Sequence, residues 1–178
     1  MHTVLKLTAT VVAIVLILGL VLPSKFEVHR EITINAPPQA IHPYINELFL
    51  WPLWSPWEEL DPTTRITLGE PSQGIGANQT WTDRSGGGEL VIIASDPLNG
   101  IRYDARFGSN REHYPAELRL RAIGPNQTQV RWQIQGKMTT PIMAPFLAMM
   151  ANRMIGDPFQ QGLAKLKWVV EERQQPEE

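Results

Sequence analysis

Groups that could carry out acid–base or metal chemistry are few in this chain. The histidines, His2, His29, His42 and His113, include no pair at the spacing of a metal site. The absence of cysteine from the sequence excludes disulfides, zinc–thiolate sites and a cysteine nucleophile. The short signatures of serine hydrolases and zinc proteases do not occur either. We therefore expect no metal and no cofactor.

Three polar side chains have positions from which they could face an apolar cavity, namely Tyr103, Tyr114 and Arg30. Asp104 and Glu117 fall on the opposite, polar faces of their predicted strands, so a pair of carboxylates for general acid–base catalysis is not supported. A tyrosine hydroxyl in an apolar space more often makes a structural hydrogen bond than a catalytic one. The sequence therefore favours binding over catalysis.

The most unusual stretch is FLWPLWSPWEELDP, residues 49–62. It places Trp51, Trp54 and Trp57 three residues apart, with one proline in each interval. An indole buries roughly 150–250 Å², so these rings can either plug the core or stack on a ligand at a cavity mouth. Trp81 is a fourth candidate for the mouth. We favour the first role, in which the rings fill the core, and we expect Trp54 to be wholly buried.

The elements that must position these residues are mostly strands. Residues 26–34 alternate apolar and polar side chains, with Arg30 as the exception, and a short helix is predicted over 41–48. Short strands follow from 64 to 135, separated by glycine and proline turns. In 101–107 and 130–135 every second residue is charged or polar, which predicts a sheet with one face in water.

The C-terminal part is predicted to be helical. Residues 142–153 are rich in methionine, and Asp157 with Pro158 can begin a second helix. That helix has one apolar stripe, formed by Phe159, Leu163, Leu166 and Val170. The order is strand, short helices, about six strands and a long helix, which predicts an α+β fold with the helix covering an antiparallel sheet.

Strand alternation also predicts which side chains would line a cavity between the sheet and the C-terminal helix. On the sheet they are Tyr103, Phe107, Tyr114, Leu118 and Trp132; on the methionine-rich segment they are Met143, Phe146, Met150 and Met154. Such a wall is apolar with a few hydroxyls, which is typical of a small-molecule pocket. Methionine is common at promiscuous binding surfaces, but ordinary helix packing explains these methionines equally well.

The N-terminus carries a long apolar stretch. Residues 8–22, TATVVAIVLILGLVL, contain no charge, and with residues 4–7 they approach the roughly 20 residues that span a bilayer. We expect residues 1–24 to form an uncleaved, single-pass membrane anchor. A cleaved signal peptide is the main alternative, and a buried core helix is a third.

Charges close to the anchor bear on its orientation. Lys6 and the terminal amine lie on one side, and Lys25 and Arg30 lie on the other, so the positive charges are evenly balanced; our expectation is a cytoplasmic N-terminus with the domain outside the cytoplasm. The domain is expected to occupy 25–173, followed by a polar tail, 174–178. The formal net charge of −2 provides no basic field for nucleic acid.

Four stretches carry a resemblance to a known family: REITINAPPQAIHPYI, WPLWSPWEELDP, GIGANQTW and FQQGLAKLKWVVE. Together they are similar to the START-like or SRPBCC superfamily, which has the helix-grip fold, and in particular to its polyketide cyclase/dehydrase-like branch. The resemblance implies a strongly curved antiparallel sheet that grips a long C-terminal helix. It also implies that a hydrophobic or amphipathic small molecule, lipid-like or aromatic, binds in a cavity between them.

Fold alone does not decide function in this superfamily. Our expectation is a membrane-anchored domain that binds such a ligand without catalysis and contacts lipid through its N-terminal helix. One alternative is an enzyme, a cyclase or dehydratase, which a positioned histidine or acid in the cavity would support. Another is a protein-interaction module of the chaperone-activator type, which a large apolar patch outside a closed cavity would favour. The sequence identifies no protein partner.

Overall fold

The computed structural model describes residues 2–84, 86–108, 112–140 and 142–173. The described chain forms one seven-stranded antiparallel sheet, in the order β1-β7-β6-β5-β4-β3-β2. The strands are β1 Lys25–Ile34, β2 Arg65–Leu68, β3 Asn78–Thr82, β4 Gly88–Asp96, β5 Gly100–Phe107, β6 Glu112–Gly124 and β7 Gln127–Lys137. The first and last strands are neighbours, so β1 joins the long hairpins formed by β4 to β7.

Five helices and a 3₁₀ segment complete the described part of the chain. The helices are α1 His2–Val21, α2 Pro38–Asn46, α3 Trp57–Leu60, α4 Ala144–Met154 and α5 Gly156–Glu172; the 3₁₀ segment is Leu48–Leu53. The expected α+β helix-grip architecture, a curved sheet with a long C-terminal helix, is confirmed. The predicted polar tail, 174–178, lies outside the described residues.

The two faces of the sheet differ as the alternation predicts. On β5, Ile101, Tyr103 and Ala105 are buried, whereas Arg102 between them is exposed. The outer face carries ion pairs such as Arg106–Glu89 at 3.3 Å and Arg131–Glu31 at 3.2 Å. Because these pairs are only partly buried, we expect each to add little to stability. Burial on the inner face is the main stabilising contribution.

Helix α5 covers the inner face through its apolar stripe. Phe159, Leu163 and Leu166 have at most 2% of their surface exposed. A Cβ atom on Gly162 would lie 2.8 Å from Cζ3 of Trp132, so the absence of a side chain there lets the helix approach the indole closely. The predicted helix start at Asp157 and Pro158 falls within the first turn of α5.

Arg30, the residue that interrupts the alternation of β1, connects that strand to the break between α4 and α5. Its guanidinium donates to the Asn152 backbone oxygen at 3.1 Å and to the Asn152 side-chain oxygen at 2.9 Å. A cation at the C-terminal end of α4 is favoured by the helix dipole. A side chain on Gly156 would displace the guanidinium from its present position, so the glycine at the first residue of α5 leaves room for this contact.

Helix α1 projects from the fold, and none of the residues in its apolar span is buried. Its length of 19 residues and mean hydropathy of 2.6 over Thr3–Val21 are those of a membrane anchor or a signal sequence. Its last turn contacts the start of the α4 region, where a Cβ atom on Gly19 would lie 2.5 Å from the Ile142 oxygen. The Met138 N–H donates to the Ser24 oxygen at 2.9 Å, so the residue after β7 is fixed close to the end of α1.

Candidate functional site

The tryptophan stretch lies at the end of the inner face where side chains fill the core. Trp54 has no exposed surface, and Trp51 has 3%. Their indole N–H groups donate to the last turn of α2, Trp54 to the Tyr44 oxygen at 2.8 Å and Trp51 to the Ile45 oxygen at 3.0 Å. The last carbonyls of a helix have no partner within it, so these two indoles cap α2 while they fill the core.

The same end contains a tightly packed aromatic group around Trp132. Its ring stacks on Phe159, with centroids 3.9 Å apart and planes 4° apart, and it lies 5.2 Å from the Trp54 ring. Its N–H donates to the Tyr103 hydroxyl at 2.8 Å. Burial raises the pKa of Tyr103 well above its usual value, and the indole donor only partly offsets that effect. Tyr103 therefore stays neutral at any physiological pH.

This packing buries the side chains at the centre of the sheet. Leu118 has 0% of its surface exposed and Trp132 has 1%. A void large enough for water would leave part of their surface accessible, so neither side chain borders one. The physical reason is that the Phe159 ring occupies the space opposite Trp132. Of the side chains expected in the cavity, Tyr103, Leu118 and Trp132 therefore belong to the solid core in this conformation.

Aromatic side chains remain uncovered at the other end of the inner face. Phe26, Tyr114, Phe107 and Trp81 form a continuous row, with successive centroids 6.0, 5.4 and 5.6 Å apart. We call these four residues the aromatic strip. Phe107 exposes 47% of its surface, Tyr114 and Trp81 are half-buried, and Phe26 is buried, with 9% exposed. The strip crosses the sheet from β1 to β3 and includes two of the expected cavity residues, Phe107 and Tyr114.

Two glycines make the strip continuous, because they lie on the strands between its members. Gly88 of β4 pairs with both Trp81 and Phe107, and a Cβ atom there would lie 2.3 Å from the Trp81 ring. Gly136 of β7 pairs with Phe26, and a Cβ atom there would lie 2.3 Å from the Tyr114 ring. The neighbouring rings therefore lie across the glycine backbones. The result is a broad apolar surface with no side chain projecting from its middle.

Polar atoms at the strip are few. The Tyr114 hydroxyl donates to a Glu112 carboxylate oxygen at 3.1 Å. Burial, and next the contact with Glu112, raise the pKa of Tyr114 above its usual value. Such a hydroxyl offers an orienting hydrogen bond to a ligand, but it does not titrate near neutral pH as a general acid or base would.

The methionine-rich helix is only partly packed. Met143, Met150 and Met154 expose 49%, 57% and 56% of their surface, while Phe146 is half-buried. The buried side of α4 is formed instead by small residues, Ala144 and Ala151. The methionines that were expected to line a cavity thus lie on an open helix side, and a ligand contact with them stays a prediction.

The four tryptophans expected at a cavity mouth separate into two groups. Trp51 and Trp54 lie inside the core and border no opening. Trp57 is half-buried and packs edge-on against Phe159 at 6.5 Å, and Trp81 belongs to the aromatic strip. The sequence spacing could not separate these roles, because they depend on how the 3₁₀ segment turns back against α2.

A buried polar cluster between α2 and β4 is absent from the sequence-based predictions. Ser95 donates to the Asn46 side-chain oxygen at 2.5 Å, and His42 Nε2 lies 2.9 Å from the Ser95 oxygen. With the Ser95 proton directed to Asn46, the Ser95 oxygen can accept a hydrogen bond from His42 in the tautomer that carries its proton on Nε2. Burial lowers the pKa of His42, although Asp96 and Glu47 oppose the shift. The cluster holds α2 on the sheet. It could not be predicted from the sequence, because Ser95 is about 50 positions from the other two residues.

The family of the chain follows from comparison with known proteins. The family model described as polyketide cyclase / dehydrase and lipid transport matches residues 25–171. The chain belongs to this family. The resemblance to the SRPBCC superfamily is therefore confirmed. No curated protein matches the chain.

Similar solved structures support the fold of this polyketide cyclase/dehydrase and lipid transport family member. Norcoclaurine synthase from Thalictrum flavum, in complex with dopamine and hydroxybenzaldehyde, has a TM-score of 0.62 at 13% identity over 90% of this chain and 94% of that chain. The Aha1 dimer from Colwellia psychrerythraea has a TM-score of 0.56 at 17% identity over 82% of this chain and 96% of that chain. At these identities the likeness concerns the fold alone.

Proposed function

We propose that this protein is a membrane-anchored domain that binds a hydrophobic or amphipathic small molecule on the aromatic strip, without catalysis. The observation that carries the proposal is the partly exposed row of rings on the inner face of the sheet, in which Phe107 is the most exposed member. The rest of that face is closed by α5 and the tryptophans. An open apolar surface of this kind, with one hydroxyl at its side, suits a flat or elongated apolar ligand.

The position of the strip favours a ligand that comes from the membrane. Phe26, its first member, is the second residue of β1, and the preceding Ser24 is bonded to the end of β7. Helix α1 ends at Val21. If α1 is the anchor, the strip lies at the membrane-facing end of the domain, where an amphipathic molecule could move between bilayer and protein.

An aromatic ligand is also consistent with the surface. The norcoclaurine synthase structure contains dopamine and hydroxybenzaldehyde, which are small aromatic molecules. Rings in this chain could receive such a molecule edge-to-face or by offset stacking, which adds about 0.5–1.5 kcal/mol per pair beyond area burial. Catalysis is less favoured, because the pKa of Tyr114 lies further from neutrality than usual.

The test is to identify what the protein carries. The full-length chain is purified in a mild detergent, and bound small molecules are extracted and identified by mass spectrometry. Phe107→Ala is compared with Phe49→Ala, because Phe49 is exposed to a similar degree, 51% against 47%, and is not part of the strip. Losing the Phe107 contact should lower ligand retention about tenfold, the equivalent of roughly 1.4 kcal/mol.

Phe49→Ala should retain the ligand like the unchanged protein. Equal retention by both variants would contradict the strip as the binding surface. Conversion of an added aromatic aldehyde or ketone by the unchanged protein, abolished in Tyr114→Phe, would replace the binding proposal with the enzyme alternative.

A further inference from the structure

Two lysines face each other at the end of the sheet that adjoins the anchor. Lys25 is the first residue of β1 and pairs directly with Lys137, the last residue of β7. Side chains opposite each other in an antiparallel pair are roughly 5 Å apart at Cβ, and like charges in such positions repel. Among the described residues, neither lysine has a carboxylate within salt-bridge distance; the nearby Glu27 pairs with Arg131 at 3.8 Å.

The lysines line a shallow cleft on the outer side of this sheet end. It has a volume of about 580 Å³ and is bounded by Lys25, Phe26, Glu27, Pro115, Gln135, Gly136 and Lys137. Two ammonium groups and a side-chain amide are donors that suit an oxyanion. Glu27, the one carboxylate in this lining, pairs with Arg131, and Pro115 provides an apolar surface beside the lysines.

The cleft also lies close to where α1 ends. Lys25 lies four positions after Val21, which limits the distance between their Cα atoms to about 14 Å. The interfacial region of a bilayer adds several ångströms on each side of the hydrocarbon core. If α1 spans the membrane, both ammonium groups are therefore within reach of the phosphates of the lipid headgroups.

We propose that Lys25 and Lys137 bind the phosphate of an anionic phospholipid in the membrane that holds α1. The inference rests on the anchor part of the proposed function. The bound phosphate relieves the repulsion between the two lysines and fixes the sheet end against the bilayer. The aromatic strip begins at Phe26, beside this pair, so the interaction also orients the strip towards the lipid.

The experiment measures lipid retention by native mass spectrometry of the full-length protein in a mild detergent. Phosphatidylglycerol, phosphatidylcholine and inorganic phosphate are added separately. Lys25→Gln with Lys137→Gln should lower the preference for phosphatidylglycerol over phosphatidylcholine about 30-fold, the size expected for two lysine contacts with an anionic headgroup. Lys25→Arg with Lys137→Arg should keep the preference.

A charge-matched control is available on the same face of the sheet. Arg102 and Arg121 are exposed and lie away from the anchor, so Arg102→Gln with Arg121→Gln should leave the preference unchanged. An equal loss in this control, or an unchanged preference in the glutamine pair, would overturn the proposal. Binding of inorganic phosphate without a preference for phosphatidylglycerol would overturn it too, in favour of free phosphate.

The two proposals fail in different ways. If α1 is not an anchor, the full-length chain will be recovered from the soluble fraction without detergent and will retain neither lipid, and both proposals then fail together. If only the lysine site is absent, both lipids will be retained equally. Retention of the aromatic-strip ligand by Phe107→Ala is measured separately and does not depend on whether either lipid is retained.

Discussion

Trp54→Ala tests whether the tryptophan stretch is structural. The side chain has no exposed surface, and its ring lies 5.1 Å from Trp51 and 5.2 Å from Trp132. Its N–H is the partner of the Tyr44 oxygen in the last turn of α2. Truncation removes the ring, leaves a cavity between two other indoles and uncaps the helix.

The magnitude follows from the buried area. An indole that buries roughly 150–250 Å² at about 25 cal/mol per Å² is stabilised by about 4–6 kcal/mol on transfer from water. Alanine retains part of this, and buried aromatic truncations cost about 3–5 kcal/mol. For a domain of this size each kcal/mol lowers the melting temperature by about 2–4 °C. We expect the melting temperature of Trp54→Ala to fall by roughly 6–20 °C.

The two contributions can be separated with a second variant. Trp54→Phe keeps most of the apolar contact but leaves the Tyr44 oxygen without a donor, which should cost about 1–3 kcal/mol. Trp168→Ala is the matched control, because Trp168 exposes 62% of its surface and its truncation should change stability by less than about 0.5 kcal/mol. Thermal unfolding of the full-length chain, followed by circular dichroism in one detergent, provides the comparison.

A melting temperature within about 2 °C of the unchanged protein, together with loss of the bound ligand, would refute this reasoning. Trp54 would then be a ligand contact that becomes accessible in another conformation.

Three further predictions concern other parts of the chain. A fragment that begins at Ser24 should be soluble and show β-rich circular dichroism, because no residue in the apolar span of α1 is buried; aggregation of this fragment, with normal folding of the full chain in detergent, would make α1 part of the core. The free energy of unfolding should fall as the pH decreases from 6.5, the pKa of His42 in the unfolded chain, towards the lower pKa of His42 in the folded chain, because the unfolded chain takes up that proton more readily. In urea unfolding measured at several pH values, His42→Gln should reduce this pH dependence. An unchanged pH dependence would mean that other groups cause it. Leu118→Trp should cost about 1–3 kcal/mol by overpacking, whereas Met150→Trp, at a position 57% exposed, should change stability by less than about 0.5 kcal/mol in the same urea titration; a stabilising Leu118→Trp would reveal a void beside the sheet.

Much of the fold was predictable because its signals are local. The two-residue period of the strands and the apolar stripe of α5 depend only on which side chains face the core, and both were read correctly. The inner orientation of Tyr103, Leu118 and Trp132 followed from the same parity. What parity could not give was the depth of packing against the opposite layer.

The distinction between core and open surface required the tertiary structure. Trp132 and Phe107 both face inward by parity, yet Trp132 is covered by Phe159 and Phe107 is uncovered. The difference depends on which part of the sheet α5 covers, and no local pattern in the sequence specifies that. Likewise, the sequence shows Lys25 and Lys137 as isolated charges 112 positions apart, and only the β1–β7 register makes them neighbours.

The family, the alternation of the strands, the amphipathic final helix and the apolar N-terminal segment could all be predicted without coordinates. Each of these features depends on residues that are close along the chain. Three features are visible only in the folded chain. Two indoles cap α2, and Arg30 joins β1 to the α4–α5 break. Gly88 and Gly136 leave room for a continuous row of rings. These features come from contacts between residues far apart in the chain, whose geometry is fixed only when the strands pair and the helix docks.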